Sequence, residues 1–234
     1  MNGGITFDNE KHTYNDFGLI CTSLTIELPE MKQKKIELKG ADGYLDLSGI
    51  FGRILYGNRK IKAEFVLKEQ DEKEWTENLS NLANYLHGKK RKMILDSDPM
   101  YYYEGRISVR HEKQYCPFST VGIEAECSPY KKEVEDSTGD DWLWDPFSLE
   151  DGIIREYGNI AVNGTYTLLI IGREQVVIPV FYASVAMTIT YNGITYSLAA
   201  GENKIYSIAL GEGEHTLIFE GNGIVSVEYR GGRL

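Results

Sequence analysis

The sequence is poor in the groups that most chemistry needs. Cysteine occurs three times in 234 residues, as Cys21, Cys116 and Cys127. Their odd number and irregular spacing exclude a disulfide framework, and reduced thiols in a chain made in the cytosol are expected. Histidine occurs four times, as His12, His87, His111 and His215. None stands in an H-E-x-x-H or H-x-E frame. His111, Cys116 and Cys127 are a trio of zinc-ligating residue types, and they lack the paired C-x-x-C spacing that preorganises a site. Walker loops, a G-x-G-x-x-G turn after a strand and a G-x-S-x-G elbow are all missing. Ser128 to Lys131 fits S-x-x-K but has no S-D-N or K-T-G companion, so it is a chance match. Among 35 acidic residues no carboxylate pair stands out for glycoside hydrolysis. An enzyme, a metal centre and a cofactor are therefore not expected.

Positive charge is short as well. Twenty-five basic residues face 35 acidic ones, a net charge of −10. An acidic surface repels phosphate backbones and anionic lipid, which argues against a dedicated DNA or membrane binder. The longest apolar stretch, Val176 to Met187, is broken by Pro179 and Ser184 and falls short of the roughly 20 residues that span a bilayer. The opening "MNGGITFDNEKHTY" has neither a basic region nor an apolar core, so no signal peptide is expected.

What the chain does have is glycine (24), tyrosine (16) and β-branched residues, with only six prolines. Many turns with strand-forming side chains between them point to a β protein. "KIKAEFVL" at 60–67 puts Ile61, Ala63, Phe65 and Leu67 on one face. "VGIEAEC" at 121–127 does the same with Val121, Ile123, Ala125 and Cys127. "GLICTSLTIEL" at 18–28 and "KKIELKG" at 34–40 read as further strands, the latter leading into the Gly/Asp-rich loop "GADGYLDLSG". One helix is expected over about 71–87, where Trp75, Leu79, Leu82, Ala83 and Leu86 recur at helical spacing. Asp71 and Glu74 resemble a capping box, and Gly88 stands where a helix stops.

Past the strands "KMILD", "MYYYEGRISV" and "STVGIEAEC" the composition changes. Residues 133–150 are polar, acidic and aperiodic, which predicts a connector between an N-terminal domain, 1–132, and a C-terminal domain, 151–234. Asp136, Asp140, Asp141 and Asp145 lie in this stretch without a D-x-D-x-D-G calcium loop and read as solvated linker. In the second half, "TITYNGITY" predicts a hairpin, because Asn192-Gly193 tolerates a type I′ turn. Turns there recur at β-sandwich spacing.

Three features suggest contacts with other molecules. Lys89, Lys90 and Arg91 belong to the basic run "HGKKRK", where positive charge complements the carbonyl end of the helix and can also meet a neighbouring protein. In "YYY", strand alternation places Tyr101 and Tyr103 on one face and Tyr102 on the other, so at least one ring is expected at an edge or interface. Trp142 and Trp144, with Phe147, either pin the connector to a domain or anchor a partner.

The stretch "NLANYLHGKKRKMILDSDPMYYYEGRISV" resembles the distal tail protein (Dit) family of long-tailed phages that infect Gram-positive bacteria. The resembling features are the helix end at Leu82 to Leu86, Asp96-Ser97-Asp98-Pro99, and the aromatic strand Tyr101 to Val109. "GITFDNEKHTYNDFGLICTS" near the start and "LGEGEHTLIFEGNGIVSVEYRGGRL" at the end are also similar to that family. The resemblance implies a mainly β fold of two β-sandwich domains. The first would carry one amphipathic helix and a protruding β-hairpin; the second would be galectin-like or like a carbohydrate-binding-module jelly roll. It further implies a hexameric ring, sometimes stacked, at the virion's tail tip. Its expected partners are the tail tube protein, a tail-associated fibre or lysin protein and receptor-binding proteins. DNA would pass through unbound. Ring closure needs a heterologous interface, for which helix and hairpin are the natural suppliers. The competing expectation is a carbohydrate-binding adhesion module for host cell-wall saccharides. No Trp follows Trp144, so the second domain is expected to dock proteins rather than act as a lectin.

Overall fold

The computed structural model describes residues 3–40, 42–50, 52–67, 72–112, 120–134 and 157–234. Cys116, the aspartates of the connector, Trp142, Trp144 and Phe147 lie outside the described residues. The chain forms two compact units, Met1–Asp98 with Tyr102–Lys131, and Pro99–Tyr101 with Lys132–Leu234. Both are built mainly from antiparallel strands.

The first unit contains β1 (Ile5–Phe7), β2 (Lys11–His12), α1 (Thr13–Phe17), β3 (Leu19–Ile26), β4 (Lys35–Glu37) and β5 (Tyr44–Asp46). It continues with β6 (Arg59–Leu67), α2 (Glu72–Leu86), β7 (Lys90–Leu95), β8 (Asp98–Glu112) and β9 (Thr120–Cys127). Its main sheet runs β2-β1-β7-β8-β9-β6-β3. The period-2 strands behave as their sequences predict: Ile61, Ala63, Phe65 and Leu67 on β6 are all buried, as are Val121, Ile123, Ala125 and Cys127 on β9. The register aligns Ala63 with Ile123 and Phe65 with Val121, so the two apolar rows meet across the strands. Helix α2 lays Trp75, Leu82 and Leu86 on that surface, with Leu79 partly buried. Gly88 stops the helix in the left-handed region, at φ 75°.

One local feature was not anticipated. A one-turn helix, α1, lies between β2 and β3 near the start of the chain. His12 caps it, and Gly18 ends it at φ 63°. Five residues are too few for a 3.6-residue period to show in sequence. The alternation of "YYY" also misleads: Tyr101, Tyr102 and Tyr103 are 4%, 6% and 3% exposed. No ring of the three stands at the surface, because the outward Tyr102 is itself covered, with Lys92 Nζ 5.0 Å from its ring centre.

The second unit contains β10 (Lys131–Glu133), β11 (Ile160–Gly172), β12 (Val180–Ala183), β13 (Met187–Tyr191), β14 (Ile194–Leu198), β15 (Gly201–Lys204), β16 (Gly213–Glu228) and β17 (Gly232–Arg233). Strand β16 is the spine. One edge pairs with β11 along its whole length, and the other pairs first with β13 and then with β12. Where it passes from one to the other stands Gly221, at φ 153°, and a Cβ there would lie 2.8 Å from Met187 Cβ. Asn192 and Gly193 take φ 49° and 77°, the predicted type I′ turn between β13 and β14. Phe181, Ile189, Leu217, Phe219 and Val227 fill the core. Glu133 is buried and accepts hydrogen bonds from Arg173 Nε at 3.1 Å and from the Gly231 N–H at 3.0 Å.

Candidate functional site

Between β3 and β6 the chain leaves the main sheet and returns as a two-stranded arm. Backbone hydrogen bonds hold its stem: Gly57 N–H donates to the Glu30 carbonyl at 2.8 Å, Lys32 N–H to Leu55, and Leu47 N–H to Lys34. Strands β4 and β5 form the outer part, with Ile36 opposite Leu45, Lys35 opposite Asp46 and Glu37 opposite Tyr44. Period-2 geometry then sorts the side chains. Ile36, Leu38 and Leu45 share one face, while Lys35, Glu37, Tyr44 and Asp46 share the other. The polar face satisfies itself. Lys35 Nζ lies 4.5 Å from the Tyr44 ring centre. Hydrogen bonds from Ser48 hold the Asp46 carboxyl below the usual carboxylate range.

Among the described residues the apolar face stands open to solvent. Ile36, Leu38 and Leu45 are 41%, 52% and 48% exposed. Among the described residues of the first unit, every large exposed apolar side chain lies between Ile26 and Ile54, with Leu28 the most open at 78%. An isolated two-stranded ribbon is marginal in water, and apolar surface gathered in this way marks a contact with another protein. The arm springs from β3, the last strand of the sheet, whose sequence "LICTSLTI" has no charge to deter pairing. The alternation at 34–40 predicts the strand but not which of its faces stays exposed.

The basic run is drawn inward at one residue. On β7, Met93 and Leu95 are buried, so Arg91 has the same parity and points to the core side. Its Nη1 meets Asp8 Oδ2 at 2.7 Å, its Nη2 donates to the Tyr85 carbonyl at 3.0 Å, and its guanidinium carbon stands 4.2 Å from the Tyr85 ring centre. The same Asp8 accepts the Lys92 N–H. Arg91 therefore completes the carbonyl end of α2 and ties the β1–β2 turn to it. Lys89 and Lys90 are exposed, and Lys90 pairs with Glu104 at 3.0 Å. Of the other residues singled out as contacts, Tyr101 and Tyr103 are buried in this chain and offer almost no surface, and Arg59 lies 5.4 Å from the Tyr103 ring.

A groove of about 450 Å³ crosses the outer face of the first unit's sheet, lined by Lys60, Lys62, His87, Arg106, Ser108, Glu124 and Glu126. Its charges answer one another. Arg110 holds Glu124, Lys62 meets Glu27 at 2.6 Å, and Asn58 donates to Glu126.

The thiol of Cys127 is disarmed by its surroundings. Burial pushes the Cys127 thiol up to about 12, against the opposing pull of Arg59. Thiolate is the nucleophile, so Cys127 is expected to resist iodoacetamide at pH 8 in the folded protein and to react once unfolded. Fast alkylation of native Cys127, read by peptide mass, would contradict its burial. The same shift has a sign for stability. The thiol stays protonated in the fold while the unfolded chain ionises near pH 8.5, so its contribution is whole below that pH and is lost as pH rises towards 12. Among the described residues no three His, Cys, Asp or Glu side chains gather as metal ligands.

In the second unit, Tyr206, Ile194 and Tyr182 are exposed at 74%, 57% and 40%. His215, Arg230 and Arg233 are engaged within the fold. His215 Nδ1 and Nε2 meet the Tyr191 hydroxyl and the Gly211 carbonyl, each at 2.9 Å. Arg230 donates to the Glu133 and Val134 carbonyls. Arg233 faces Glu174 at 3.5 Å.

No protein-family model matches the chain, and no curated protein does. Among solved structures it is similar to the Dit (gp 19.1) protein of phage SPP1, described as a paradigm of the hub adsorption apparatus in Gram-positive infecting phages. The match covers 97% of this chain and 98% of that one, with a TM-score of 0.63 and 11% sequence identity. Over nearly the whole length of both chains, then, this protein shares the fold of the SPP1 Dit protein.

Proposed function

We propose that the chain is a structural virion protein, a hub at the distal end of a long non-contractile phage tail. The observation that carries this reading is the fold likeness to SPP1 Dit across 97% of the chain at a TM-score of 0.63. The arm gives it a physical basis. A closed ring needs two different patches that meet head to tail. One protomer supplies the apolar face at Ile36, Leu38 and Leu45; the stem around Leu28, Met31, Ile50 and Ile54 on the next supplies a second apolar surface. Six copies would close a ring between the tail tube protein and a tail-associated fibre or lysin protein, and DNA would pass through unbound. A net charge of −10 suits that passage. Exposed Lys89 and Lys90 belong to the surface offered to neighbours, and the second unit serves as a docking platform for baseplate or receptor-binding proteins. The role is mechanical, without catalysis. The carbohydrate-binding alternative has less support, since His215, Arg230 and Arg233 are engaged within the fold.

Multi-angle light scattering on the purified chain tests the reading. A mass near six times 26.5 kDa is expected. A 26.5 kDa species that persists at high concentration would contradict it.

A further inference from the structure

The imidazole of His12 is held from both sides by groups that fix where its proton can be. Nδ1 faces two backbone donors, the N–H of Tyr14 at 3.2 Å and of Asn15 at 3.3 Å. It can accept both only while it carries no proton. Nε2 must then carry the hydrogen, and it lies 3.3 Å from Asp96 Oδ2, which also accepts the Gly4 N–H at 2.8 Å. One side chain thus caps α1 and joins it to the turn between β7 and β8. Space is tight around it: a Cβ on Gly4 would lie 2.0 Å from His12 Nε2 and 2.6 Å from Asp96 Oδ2.

We propose that His12 is a pH-operated latch, which holds α1 and the β2 edge in place when neutral and releases the α1 cap when protonated. A proton on Nδ1 turns an acceptor into a donor that points at two other donors. The ring cannot keep its position and has to swing off the helix end. The charges around it decide what the acid form keeps. Asp96 attracts the imidazolium, and so does Asp16 of α1, whose Oδ2 accepts the His12 N–H at 2.7 Å. Lys11 of β2 directs its ammonium to the Phe17 and Tyr85 rings, at 5.6 and 4.8 Å. Cys21 of β3, near Asp96, stays protonated because burial raises it. The acid form therefore keeps its ion pair with Asp96 and loses both bonds to α1. Histidine is the side chain suited to a change of charge between pH 5 and 8. What is loosened is the turn that carries Thr13, whose hydroxyl accepts the Ile5 N–H at 3.0 Å, and Phe17, whose ring packs 5.9 Å from Tyr85. The inference rests on local geometry and is independent of the hub assignment.

The test is amide exchange over residues 13–18 of the full chain, read by mass spectrometry at pH 7.5 and 5.5 and corrected for the intrinsic effect of pH. Protection in the wild type is expected to fall about tenfold on acidification, the size of one lost cap. His12→Asn and His12→Ser keep a capping oxygen that does not titrate, so both should be protected equally at the two pH values. Gly4→Ala displaces the ring and should be weakly protected at both. Equal wild-type protection at pH 7.5 and 5.5 overturns the latch, and so does the same acid loss in His12→Asn or His12→Ser. An imidazole ¹⁵N spectrum at pH 7.5 that puts the proton on Nδ1 overturns it without any variant.

Discussion

Changing Ile36, Leu38 and Leu45 together to serine is expected to turn the assembled protein into monomers whose fold is intact. The three side chains lie 41–52% exposed on the arm, outside both buried cores. In a free protomer they lie half exposed and outside both cores, and surface changes of this kind stay within about 0.5 kcal/mol. In an assembly the exposed half of each would be buried against a neighbour, about half of the roughly 1.5–3 kcal/mol of a full burial. Three such losses per interface weaken association by about fiftyfold or more. Light scattering and thermal melting of the same sample separate the two effects. Monomers that melt like the wild-type protomer are the expected result. An unchanged oligomer would remove the arm from the interface, and monomers that fail to melt cooperatively would make it part of the core.

Arg91→Ala should destabilise the first unit by about 2–4 kcal/mol, whereas Lys89→Ala and Lys90→Ala should cost about 0.5 kcal/mol or less. The contrast follows from one residue of β7. Arg91 gives up an ion pair to Asp8 at 2.7 Å, a bond to the last-turn carbonyl of Tyr85 and a ring contact at 4.2 Å. Asp8 is left with the Lys92 N–H alone among these partners. Lys90 loses a pair with Glu104 in which its own side chain is 58% exposed. Urea melts of the three variants give the order directly. Equal and small effects would mean that the basic run is surface charge throughout.

The way the basic run resolves shows how far sequence carries. Gly88 as a helix stop and cations at the carbonyl end were legible, since both follow from helix termini. That Arg91 alone turns inward was not, because the parity of β7 is set by Met93 and Leu95 packing into a core drawn from distant parts of the chain. Strands β6 and β9 and helix α2 were legible for the opposite reason: their own side chains carry the period. The short helix α1 was missed because five residues leave no period, and its cap is a histidine rather than one of the usual oxygen side chains.

The candidate site was the hardest part to read. The alternation in "KKIELKG" says strand, yet nothing local separates a strand that faces its own core from one that waits for another chain. Only the register of Ile36 against Leu45 and their exposure among the described residues make the distinction. Alternation places at least one ring of Tyr101, Tyr102 and Tyr103 at an edge or interface, and within this chain all three are buried.

Negative-stain electron microscopy of the purified chain tests the hub reading most directly. Closed rings with a central opening as wide as a DNA duplex, about 20 Å, are predicted, and the Ile36, Leu38 and Leu45 serine variant should show none. Single particles of one protomer's size in the wild-type protein, across the whole concentration range, would contradict the account.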